Sequence, residues 1–273
     1  MPSWINDLIL GPAYTIGNTI WQIAMTMITG VVGTTPEDFS AETWTFVVNI
    51  LYPWSLGIGI LLLNTFFLVG FLRSHSDLKT NYTMEILVNA MIKVVMANTL
   101  MRGGIALMRA FFTMAAELSV QVLVAQPAAF MPEDKDFGTY LFFFIFGVIY
   151  ALVAIVCAIL MLLSVYGRYL KLYVLIVFGP IALSTWAGGK GIENSAYAWI
   201  KTFLSNTFEI VVIALIISIG GRLIHSIDMG TMISGIGQLV DGFGAVIQSL
   251  IHILLMTGAV KGAERLLKQG FQL

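Results

Sequence analysis

Charge is what this sequence has least of. Asp, Glu, Lys and Arg make up 11% of its 273 residues, against 58% hydrophobic. A soluble chain carries roughly 25% charge, so these few cannot cover a water-facing surface. The class that remains is an all-α, polytopic membrane helix bundle. The alternating segments of about ten residues that build a membrane β-barrel are missing as well. Cysteine occurs once. Cys157, inside an apolar run, excludes an internal disulfide framework and a cysteine-rich metal site, and reads as a small buried apolar side chain. The three histidines, His75, His225 and His252, have no metal-ligand partner at helical or turn spacing. No phosphate-cradling glycine loop is followed by Lys and Ser or Thr. The clustered His, Asp or Glu of a membrane enzyme are absent too, so the expectation is a non-enzyme without a cofactor. A net charge of −1 offers no basic surface for nucleic acid. The first residues, MPSWINDLILGPAYTIGN, lack a basic stretch and carry Asp7, which argues against a cleaved signal peptide.

What is there is apolar and long. TWTFVVNILYPWSLGIGILLLNTFFLVGFL, Thr43 to Leu72, is free of charge and predicts a helix over 46–72, with Trp44, Tyr52 and Trp54 as an aromatic belt. Glu37, Asp38 and Glu42 precede it, and Arg73 and Lys79 follow. Positive-inside bias puts the acidic loop outside and the basic one in the cytoplasm. In residues 1–33, Trp21, Met25, Ile28 and Val32 recur at helical spacing among polar interruptions, which fits an outer amphipathic helix better than a span. One net crossing falls between 80 and 130. A continuous helix from Met84 to Gln126 would be about 64 Å long, twice the hydrocarbon core, so the region is expected to be broken, to lie partly along the surface or to leave the bilayer, with Gly103-Gly104 as the expected break. Tyr140 to Leu163 is the cleanest span, and further helices are expected over 197–223 and 242–260. A single membrane domain of about five crossings results, with the tail 261–273 in the cytoplasm.

RYLKLYVLIVFGPIALSTWAGGKG, Arg168 to Gly191, carries the topology. With the tail inside, and with Arg168, Lys190 and Lys201 inside, residues 169–187 must enter the membrane and return. Pro180 after Gly179 supplies the expected helix break, since proline lacks an N–H and clashes with the preceding turn. The rival is a full, kinked crossing that would place the tail outside. A hairpin with non-helical backbone at membrane depth needs protein or water around it.

Five charges sit in segments too apolar for loops: Lys93, Arg102, Arg109, Lys201 and Glu209. Such groups cost at least about 3 kcal/mol each in lipid unless they pair, snorkel or face water. Arg102 and Arg109, seven residues apart, share a helix face and read either as snorkelling side chains or as a basic lining for an anionic or protein passenger. Glu209 is too far from Lys201 to pair along one helix, so a basic group on a neighbouring chain is its expected partner. His252, mid-helix with Gln248 one turn away, reads as a side chain bonded to a neighbouring helix or as a polar spot on a pore.

The stretch YLKLYVLIVFGPIALSTWAGGKGIENSAYAWIKTFLSN resembles the TrbL-type polytopic subunit of type IV secretion and conjugal transfer machines. Arg168 and Tyr169, Pro180 to Leu183, Ala187 to Gly189, and Trp199 to Phe203 carry the resemblance, which is strongest over 140–225. It implies an inner-membrane subunit with an outer N-terminus and an inner tail. It also implies a homo-oligomer, a ring of about five, near the machine's ATPases, helping single-stranded DNA or protein across. The alternative from a different class is a small secondary transporter with its substrate at a helix broken near Pro180, although the inverted repeats of that class are not seen.

Overall fold

The computed structural model describes residues 11–76, 84–123, 137–189, 191–226 and 241–270. Among them every regular element is helical. In chain order they are α1 (Gly11–Val32), α2 (Pro36–Phe39), α3 (Ala41–Phe46), a wide π turn (Val47–Leu51), α4 (Tyr52–Ser76), α5 (Met84–Val122), α6 (Phe137–Ser184), a tight 3-10 turn (Thr185–Gly188), α7 (Asn194–Ser226) and α8 (Asp241–Gly270). Four stretches are long and apolar enough to cross a membrane: Ala41–Leu72, Val88–Val122, Phe144–Gly188 and Asn194–Leu223. The expected 242–260 helix exists as α8 but is not one of the four. The expectations for Lys79 and Lys190 lie outside the described residues.

The described chain divides into two compact units, one of residues 1–33, 117–167 and 210–263, the other of 34–116, 168–209 and 264–273. The first is built on α1. Its stripe of Trp21, Met25, Ile28 and Val32 is fully buried, while Ile16, Ile23 and Met27 on the other faces are exposed. The stripe expected from helical spacing is therefore the packed face. Gly17 and Gly147 let α1 and α6 approach closely, since a Cβ on either would meet a tyrosine ring at 2.8 Å. Tyr150 seals the contact by donating to the Asn18 side chain at 2.6 Å.

The second unit holds the candidate site. Its first helix starts from two caps: Thr35 accepts from the Asp38 N–H and Ser40 from the Thr43 N–H. The π turn before Pro53 widens the helix, with the Tyr52 N–H bonded to the Val47 carbonyl, which lets the proline ring clear the turn behind it. α4 then runs alongside the end of α6 in the same direction. Ser55 donates to the Val177 carbonyl, Gly59 lies on Pro180, and Gly70 lies on Ala187 and Gly188. α5 returns the other way, Tyr52 donating to the Met101 carbonyl at 2.5 Å. Leu63, Ala97, Met101, Leu183 and Ala187 form the core between them.

Two expected breaks are corrected. α5 runs unbroken through Gly103-Gly104. That glycine pair serves packing, because a Cβ on Gly104 would stand 2.7 Å from the Tyr52 hydroxyl. Pro180 lies inside α6 without ending it. A proline frees the carbonyl four residues back and strains the turn around it; here the carbonyls on either side of Ile176 receive side-chain donors, Ser55 at Val177 and the Trp199 indole at Leu175. The chain turns instead at Gly189 and Gly191, with φ of 75° and 97°, a region that favours glycine.

Tyr169 donates to the Thr34 carbonyl at 3.1 Å and Tyr173 to the Pro36 carbonyl at 2.7 Å, while Phe39 stacks on Tyr169 at 4.0 Å. Lys171, between those tyrosines, pairs with Glu264, which also holds Lys268. Residues 34–39 and Glu264 thus both contact the 169–173 stretch of α6.

Candidate functional site

The end of α6 from Arg168, the 3-10 turn, the two glycines and α7 as far as Glu209 form a helical hairpin. α7 packs back on α6: a Cβ on Gly179 would meet the Trp199 ring at 2.9 Å, and Trp199 stacks on Phe203 at 5.5 Å. Phe112 of α5 closes on Phe203 at 5.6 Å. At the base of the hairpin Arg168 spans the two arms. Its Nε donates to the Asn206 carbonyl and its Nη2 to the Thr207 carbonyl, both at 3.0 Å. Its guanidinium carbon sits 5.1 Å from the Tyr169 ring centre, a cation–π placement.

Arg168 and Glu209 are each 2% exposed. The positive charges of Lys171 and Arg168 lie near enough to act on the Glu209 carboxylate, and Glu264 and Lys268 reach it less strongly. Glu209 makes no ion pair among the described residues, and its Oε2 has no hydrogen-bond partner there.

The other expected site residues scatter around this unit. Lys93 pairs with Glu193 at 2.7 Å, just after the glycine turn. Arg109 pairs with Glu37 at 2.8 Å and lies 5.6 Å from the centre of the Trp44 ring. Arg102 is exposed and bonds to the Asn98 side chain one turn back at 3.1 Å. Arg102 and Arg109 thus have different surroundings. Lys201 is exposed and makes no ion pair among the described residues. His252 is in the other unit, 6% exposed and edge-on to Trp21 at 6.2 Å. Gly179 and Pro180 are packing residues.

The residues that sequence reasoning missed are Arg168, Asn206 and Thr207. Arg168 ends a long charge-free run and so reads as the flank of a span. The usable signal was Glu209, an opposite charge in an apolar helix that needs a partner. Among the described residues no group of three His, Cys, Asp or Glu could hold a metal. No protein-family model, no curated protein and no solved structure matches this chain.

Proposed function

We propose that the chain is a non-enzymatic, multi-pass subunit of a conjugative type IV secretion machine in the cytoplasmic membrane. It acts as a homo-oligomeric scaffold or channel part that helps single-stranded DNA or protein across, beside the machine's ATPases. One observation carries the reading. The residues on which the resemblance rests are one packed hairpin rather than scattered apolar matches: Arg168 bonds to the turn after Phe203, Gly179 lies on Trp199, and Ala187 and Gly188 close on Gly70. A motif whose parts support one another in space is a unit that a family would keep together. Leu61, Leu68 and Leu72 of α4 are each more than half exposed, as a lipid-facing helix requires.

The transporter alternative rested on an unwound helix at Pro180. α6 runs through Pro180 without unwinding, which speaks against that alternative. The acidic residues Glu37 and Glu42 face outside in this reading. Lys201 and Arg102, exposed on apolar helices, meet a second copy or the passenger, because lipid would penalise them. Deleting the gene from a conjugative donor tests the function. Transfer should fall to background, return with the wild-type copy, and return only in part with the Arg102→Gln/Lys201→Gln copy at equal membrane level. Undiminished mating from the deletion strain would refute the proposal.

A further inference from the structure

Independently of that function, the base of the hairpin has a chemistry of its own. Arg168, Asn206, Thr207 and Glu209 are 2%, 4%, 0% and 2% exposed. Arg168 Nη1, Asn206 Oδ1, Thr207 Oγ1 and Glu209 Oε2 have no hydrogen-bond partner among the described residues. Asn206 and Glu209 are three residues apart on one face of α7, and Arg168 is bonded to the backbone carbonyls of Asn206 and Thr207 in that same turn. Buried polar atoms left dry are costly, and charged ones most of all.

We propose that Arg168, Asn206 and Glu209 enclose a buried water site that joins the Arg168 guanidinium to the Glu209 carboxylate. The donor and acceptor inventory selects the occupant. Nη1 only donates, and the carboxylate and amide oxygens only accept. A cation would serve the two oxygens, yet it would face Arg168 with Lys171 close by. An anion would serve Nη1 and face Glu209, with Glu264 beyond it. Water both donates and accepts, so it alone serves all three atoms. Bound there, water keeps both charges solvated inside an apolar unit. The arms of the hairpin then meet at a contact that exchanges, while the packing of Gly179 on Trp199 stays dry.

Radiolytic hydroxyl-radical footprinting of the whole protein in lipid nanodiscs reads this directly, because bound water is itself a source of radicals. Tyr169 is the reporter, 1% exposed and beside the guanidinium. Tyr150 and Met161, 2% and 0% exposed, are the buried controls. After correction for intrinsic reactivity, Tyr169 should be modified at least about tenfold faster than either control. The label should carry oxygen-18 when the protein is first equilibrated in oxygen-18 water. Asn206→Leu and Glu209→Leu should abolish the excess. Protection of Tyr169 equal to that of Met161 in the wild type overturns the proposal, whatever the variants do. A wild-type melting midpoint that rises with sodium but not with N-methylglucamine, and that loses this response in Glu209→Gln, would assign a cation instead and equally overturn it.

Discussion

Gly59 is where the helix through Pro180 meets α4, and adding one carbon there tests the packing. A Cβ on Gly59 would stand 2.8 Å from the Pro180 oxygen, 2.9 Å from its carbonyl carbon and 3.0 Å from its Cβ. Backbone and a proline ring cannot rotate aside, so α4 and α6 must separate. Overpacking of this kind costs about 1–3 kcal/mol. Gly59→Ala also gains about 1 kcal/mol of helix propensity, which would mask part of the loss. Gly57→Ala is the matched control: it gains the same propensity, and nothing lies within 4 Å of its Cβ. The difference between the two variants therefore isolates the clash. It should be about 1–3 kcal/mol, or roughly 5- to 150-fold in the ratio of folded to unfolded protein. Equilibrium unfolding in mixed micelles of rising SDS fraction, followed by circular dichroism, measures it. Equal midpoints for the two variants would refute the packing of α4 on Pro180, and with it the account of an unbroken α6.

Two other outcomes follow from the same unit. Single cysteines replacing Glu37 and Lys268 in a Cys157→Ser background should react with an impermeant thiol reagent from the same side of the membrane; reaction from opposite sides would contradict the contact of both residues 34–39 and Glu264 with the 169–173 stretch of α6. The hydrogen bonds from Lys171 and then Lys268 hold the Glu264 carboxyl below its ordinary value. Its contribution is thus complete at neutral pH and is lost as pH falls below the usual carboxylate range, so acid should lower the melting midpoint of the wild type more than that of Glu264→Gln, and superimposable pH profiles would remove the tail from the ion network.

The membrane class was legible from composition alone, because the cost of burying charge in lipid holds for any arrangement of the helices. The packed stripe of α1 was legible too, since helical spacing fixes which side chains share a face. The continuity of α6 was not. Local rules score Pro180 by the N–H it lacks, and they are silent on Gly59, whose bare backbone lies against Pro180. The glycine pair in α5 misled for a similar reason: glycine marks a flexible joint or a close approach, and only the Tyr52 hydroxyl against Gly104 tells which. Charge behaved likewise. The insertion penalty shows that Lys93 and Glu209 need partners, and it is silent on Glu193, 100 residues from Lys93, and on the buried Arg168. Sequence determines which groups must be satisfied, because that depends on their chemistry and on the lipid. Tertiary structure decides what satisfies them, because the partners come from helices that only folding brings together.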